Sequence, residues 1–220
     1  MEIIWRCRNQ KIFEGILPDF ELLSQQLNAR VHEYSSTFYA EVSIPEVVHS
    51  IPFTEVPVRW ELPLEAFIKF NFDAAVGANH SCSACVARNH HGKVLGAWAI
   101  QVMGSDPLLA EAEAARLALR VAKLMVWDKC IFEGDALNVV TSIYAPHCCP
   151  WAIEVIICDI VAGLKDTPCS LFRKVPKMIN GAAHAMARWS LCDGFAGFLP
   201  SNALPESVLD ACRLDGCSWD

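Results

Sequence analysis

The stretch "FIKFNFDAA", residues 67–75, alternates apolar side chains with Lys69, Asn71 and then Asp73. A period of two marks a half-buried strand, and this strand closes on a carboxylate beside the core. An unpaired charge is expensive to bury, so an acid delivered to that place calls for a partner.

Downstream the pattern stays regular. "SACVARNHHGKVLGAWAIQV" (83–102) reads as two strands joined at a His-His-Gly turn. "DPLLAEAEAARLALRVAKLMVW" (106–127) reads as a helix with Asp106 as its N-cap and Pro107 in its first position. "KCIFEGD" (129–135) is a fourth strand. Helical segments follow around 136–144 and 150–164, then a fifth strand in "CSLFRKV" (169–175) and a last helix in "MINGAAHAMARWSLC" (178–192). Hairpin-linked strands followed by strands alternating with helices predict an α/β domain, a five-stranded mixed sheet flanked by α-helices, over residues 61–195.

The flanks differ from this middle. Residues 1–60 hold an amphipathic segment, "DFELLSQQLNARVHEYSSTFYAEV", and then a stretch with Pro45, Pro52, Pro57 and Pro63 at its margin, which predicts an N-terminal helical arm and an irregular linker. Residues 196–220 read as an acidic tail. The net charge of −7 divides unevenly. Residues 1–65 carry 5 Lys/Arg against 10 Asp/Glu, residues 66–192 carry 12 against 10, and residues 193–220 carry 1 against 5. The acidity therefore belongs to the flanks, and the middle can meet a polyanion.

Hydrophobic residues at 53% and charged residues at 20% exclude a disordered chain. No apolar run reaches the ~18 residues of a membrane span, and Glu2, Asn9 and Glu14 interrupt the basic start, so neither a membrane span nor a secretory signal is expected. A reducing compartment, nuclear or cytoplasmic, follows as the expectation. Eleven scattered cysteines then read as free thiols. Cys82 and Cys85 form a short pair, but neither Cys148-Cys149 nor His90-His91 supplies the matching half of a zinc site.

Three acids stand out. On the helix 107–126, Glu111 shares a face with Ala115, Ala118, Ala122 and Met125, whereas Glu113 shares one with Arg116, Arg120 and Lys123. Glu113 is thereby explained as a solvated ion-pair partner, and Glu111 is turned inward. Asp135 closes its strand as Asp73 closes the first, at the end where α/β folds build their sites. Each has a plainer reading as well: Asp135 as the N-cap of "ALNVVTSIYA", Asp73 as a turn residue.

The runs "FIKFNFDAAVG", "CVARNHHGKVLGAW", "PLLAEAEAARLAL", "FEGDALNVV" and "VPKMINGAAHAMARWS" resemble, in order and spacing, the plant RNase H-like proteins. These are related to type-1 ribonuclease H and to the C-terminal domain of plant non-LTR retrotransposon polyproteins. The beginning, "IIWRCRNQKIFEG", is similar to the tail of the zinc-binding region that precedes this domain in such polyproteins, which implies descent from a longer ancestor. The resemblance implies an RNase H-like fold and a metal-dependent nuclease that cuts the RNA strand of an RNA–DNA hybrid. In that family three acids hold two divalent ions, Mg²⁺ or Mn²⁺; one generates the attacking hydroxide and the other stabilises the leaving oxygen. The matching positions are Asp73, Glu111 and Asp135.

The same resemblance places His184 where a fourth acid often stands. An imidazole there could hydrogen-bond a bound water or act as an acid or base; its plainer reading is a His on an Ala-rich helix face. Ala74 replaces a frequent Gly, which implies an altered turn beside the metals. Between Phe132 and Pro168 the only basic residue is Lys165, so a basic handle for gripping the hybrid is missing. Lys174 and Lys177 remain as phosphate contacts, or else as solvated loop lysines. Two further functions stay open: a retroelement-derived nucleic-acid-binding domain with little turnover, and a protein-interaction module.

Overall fold

A computed structural model describes residues 59–215. The predicted arm and linker over 1–60 lie outside the described residues, apart from Arg59 and Trp60. The stretch read first forms β1, Ile68–Val76. It pairs antiparallel with β2 (His80–Arg88), which turns through Asn89 into β3 (Val94–Met103). The Asn89 side chain holds that turn by accepting from His91 N and Lys93 N, each at 3.0 Å.

Helix α1 follows, Pro107–Leu124, and starts as its residues require: Asp106 Oδ1 accepts from Leu108 N at 2.9 Å. Then come β4 (Cys130–Gly134), α2 (Leu137–Tyr144), α3 (Glu154–Leu164), β5 (Leu171–Lys174) and α4 (Gly181–Asp193). The expected order is present, with one addition. Gly197–Leu199 forms a sixth strand, β6, antiparallel to β3, so the sheet has six strands in the order β5-β4-β1-β2-β3-β6 rather than five. A helix α5, Glu206–Leu214, follows it. Both elements lie in residues 196–220, read above as an acidic tail.

The two faces of the sheet are built from different chemistry. On one, Phe70, Phe132 and Phe172 stand in register across β1, β4 and β5. Their ring centroids are 5.3 and 4.6 Å apart. Burying each ring contributes about 1.5–3 kcal/mol, and α1 to α3 cover this side. Helix α1 can approach closely because Ala110, Ala114, Ala115, Ala118 and Ala122 are buried and small. Glu113 forks onto Arg116, which also donates to Asp159 of α3 at 2.8 Å.

On the other face the same three strands carry Asn71, Glu133 and Arg173 in register. Glu133, 1% exposed, accepts from Lys69 Nζ at 3.0 Å, from Asn71 Nδ2 at 3.3 Å and from Arg173. Arg88 is fully buried beside them; it donates to Asn71 Oδ1 at 2.9 Å and to Asp215 Oδ2 at 2.7 Å, and lies over the Trp60 ring. A buried charge of this kind is tolerable only when paired and hydrogen-bonded, and each of these has such partners. Next to this network, α4 and α5 pack on the sheet through Ala182, Met186, Ala187, Val208 and Cys212. No helix among the described residues is long and apolar enough to cross a membrane.

Candidate metal centre

The geometry of the site begins where two ladders part. Strand β1 pairs with β4 only as far as Asn71↔Glu133, yet its pairing with β2 runs on to Val76. Asp73 therefore sits inside β1, beside the opening left by the end of the parallel ladder, rather than at the strand's end. This corrects the reading of Ala74 too: it lies within the strand, its N–H donates to Asp73 Oδ1 at 2.8 Å, and no left-handed backbone there requires glycine. The opening is kept tight by Gly134, whose added Cβ would meet the Phe72 ring at 2.3 Å.

Asp135 follows Gly134 at the far side of the same opening. It does not cap α2: the cap position is Ala136, with no side-chain cap bond. Instead Asp135 Oδ1 accepts from Asn180 Nδ2 at 3.4 Å. Glu111 arrives from α1, whose first turn is tied to the sheet by Ser83 Oγ donating to Ala110 O at 2.6 Å. One carboxylate oxygen from each of Asp73, Glu111 and Asp135 lies within 4.8 Å of the others. His184, on the first turns of α4, donates from Nδ1 to Asp73 Oδ2 at 2.8 Å. The structure thus brings four of the candidate residues together.

Electrostatics at this cluster are those of crowded acids. Burial, then the neighbouring Asp73 and Asp135, push the Glu111 carboxyl up to about 9, and burial raises Asp73 above the usual carboxylate range. Glu111 Oε2 is buried and has no hydrogen-bond partner. An all-oxygen set with an unpartnered buried oxygen fits a hard divalent cation, which would satisfy that oxygen and offset the repulsion.

Lys174 ends β5, and Lys177 lies in the turn before α4; both are exposed and make no ion pair among the described residues. Neither is hydrogen-bonded or ion-paired to the acids. The residue that sequence reasoning passed over is Asn180. It lies inside the quoted "VPKMINGAAHAMARWS", and an Asn just before a helix looks like a cap. Its side chain makes no cap bond and donates to Phe72 O at 2.9 Å as well as to Asp135. Cys82 and Cys85 are buried free thiols.

The fold is shared with known proteins. Ribonuclease H1 of Halobacterium salinarum NRC-1 superposes with a TM-score of 0.54 at 19% identity, over 58% of this chain and 98% of that one. LC11-RNase H1, solved in complex with an RNA/DNA hybrid, gives 0.53 at 15% identity, over 58% and 98%. At such identities the likeness concerns the fold. Among curated proteins none matches. A family model described as reverse transcriptase-like matches residues 71–190, more than half of the 220 residues, and the chain belongs to that family.

Proposed function

We propose that the protein is a metal-dependent endonuclease of the ribonuclease H type, which hydrolyses the RNA strand of an RNA–DNA hybrid. The observation that carries this reading is the cluster of Asp73, Glu111 and Asp135 within 4.8 Å, with one buried Glu111 oxygen lacking a partner. Asp73, beside the opening, would hold two divalent ions, Mg²⁺ or Mn²⁺, together with Glu111 and Asp135. Bound ions supply activation of the attacking water and stabilisation of the leaving oxygen. His184 orients Asp73 through its Nδ1–H, which leaves Nε2 as the ring's acceptor when neutral. Lys174 and Lys177 contact backbone phosphates, and 2′-hydroxyl contacts select RNA. A plant, retroelement-derived origin and a nuclear or cytoplasmic setting belong to the same reading.

The test is cleavage of an end-labelled RNA–DNA hybrid, resolved on a gel, with Mg²⁺ and then Mn²⁺. Cleavage of the RNA strand by wild type, lost in Asp73→Asn and Asp135→Asn, supports the nuclease; no cleavage by folded wild type sinks it. A second reading, hybrid binding without turnover, draws on His184 in place of a fourth acid. Binding without cleavage in the same assay would select it.

A further inference from the structure

We infer that Asn180 is a positioning residue for this centre, one that sets Asp135 and the Phe72–Asp73 backbone relative to each other for metal binding. The inference rests on the metal-centre reading above. Asn180 precedes the first residue of α4, where an Asn ordinarily turns its side-chain oxygen toward the N–H groups of the first turn. Here the side chain is 1% exposed, turned inward, and makes no cap bond.

Its Nδ2 faces two acceptors, Phe72 O at 2.9 Å and Asp135 Oδ1 at 3.4 Å. That pair fixes the amide's orientation, because a flipped amide would set its oxygen against a carbonyl and a carboxylate. The two acceptors lie on opposite sides of the opening where β1 and β4 no longer pair. A single NH₂ therefore replaces the missing ladder and holds the two sides together. The backbone carbonyl of the same residue accepts from His184 N at 3.1 Å, which fixes the start of the helix that carries His184. Asn180 is thus bonded to Asp135 and His184 and to the residue before Asp73.

A second observation points the same way. Asn180 Oδ1 is buried with no partner. An unsatisfied buried acceptor costs stability, and a smaller apolar side chain would avoid that cost. The geometry keeps the amide for what its NH₂ does. Partners that orient a metal-binding carboxylate in this way typically account for about 10–100-fold in metal affinity.

The experiment uses the full chain and Mn²⁺ alone as the probe, with free ion counted by EPR. Asn180→Ala is expected to bind Mn²⁺ about 10–100-fold more weakly than wild type. Met186→Ala is the control: it removes apolar core packing from the same helix and no hydrogen bond to the acids, so its urea midpoint should fall while its Mn²⁺ affinity stays within about twofold, well short of that loss. Wild-type affinity in Asn180→Ala overturns the proposal, as does an equal loss in Met186→Ala. Should Asn180→Ala fail to fold, the Asn180 side-chain amide signals of ¹⁵N-labelled wild type decide: they should shift along a Mg²⁺ titration, and unmoved signals overturn the proposal. Wild type that binds no Mn²⁺ overturns this inference and the metal centre together. Wild type that binds Mn²⁺ but leaves hybrid intact overturns the nuclease reading alone.

Discussion

His184 Nδ1 stands 2.8 Å from Asp73 Oδ2, a bond that ties the last site helix to the first strand across 111 residues of chain. Removing the donor in His184→Ala leaves a buried carboxyl short of one partner. The metal-free protein is expected to lose about 1–3 kcal/mol. His184→Asp puts an acid there instead. It should lower metal-free stability further and gain more from Mg²⁺ than wild type does. Urea unfolding of both variants, with and without Mg²⁺, checks the pair of signs.

The crowded acids also set a pH dependence for the metal-free protein. Glu111 holds its proton up to about 9 in the folded state, against an ordinary value of 4.5. The folded state therefore binds more protons between those limits. Stability from this group is complete below about pH 4.5 and is lost as pH rises through about 9. The raised Asp73 adds to the same slope. The urea midpoint of metal-free protein should fall from pH 5 toward 9, Glu111→Gln should fall less, and Mg²⁺ should oppose the decline. Identical slopes in wild type and Glu111→Gln would contradict the assignment.

Metal binding should itself be visible as heat resistance. A ligand present at 100 times its Kd and bound only to the native state adds about 2.7 kcal/mol. For a domain of this size that corresponds to a Tm rise of about 5–10 °C. Asp73→Asn and Asp135→Asn should show little of it. Differential scanning calorimetry in millimolar Mg²⁺ or Mn²⁺ is sufficient, and an unmoved Tm in wild type would argue against the centre.

Two glutamates twenty residues apart offer a contrast between structural charges. Glu133→Ala leaves the buried Lys69 and the half-buried Arg173 facing each other without their acid. The expected cost is about 3–5 kcal/mol. Glu113→Ala removes a partly exposed partner of Arg116, which keeps Asp159, and should cost no more than about 1 kcal/mol. Equal urea midpoints for the two variants would refute the difference.

Local pattern made much of this legible. The period of two in 67–75, the Asp106-Pro107 start of α1 and the helical spacing that separates Glu111 from Glu113 are each decided within one turn or one strand. What escaped is what non-local pairing decides. "GFL" at 197–199 has no alternation of its own and becomes β6 only by lying against Ala97–Ala99. The place of Asp73 follows from where β4 stops, which no residue of β1 announces. Asn180 escaped for a different reason: one residue type serves equally as helix cap and as amide donor, and only the fold distinguishes them.

The pairing of Arg88 with Asp215 has a consequence for how the molecule is made. The two are 127 residues apart, so at about 5–20 residues per second the ribosome delivers the acid roughly 6–25 seconds after the guanidinium. By the end of that interval strands β1 to β5 and helices α1 to α3 have all been made, and the aromatic side of the sheet can close. On the other side Arg88 gains the Asp215 carboxylate only when the end of α5 has been made. Synthesis therefore imposes an order of completion, with the polar face of the sheet sealed last.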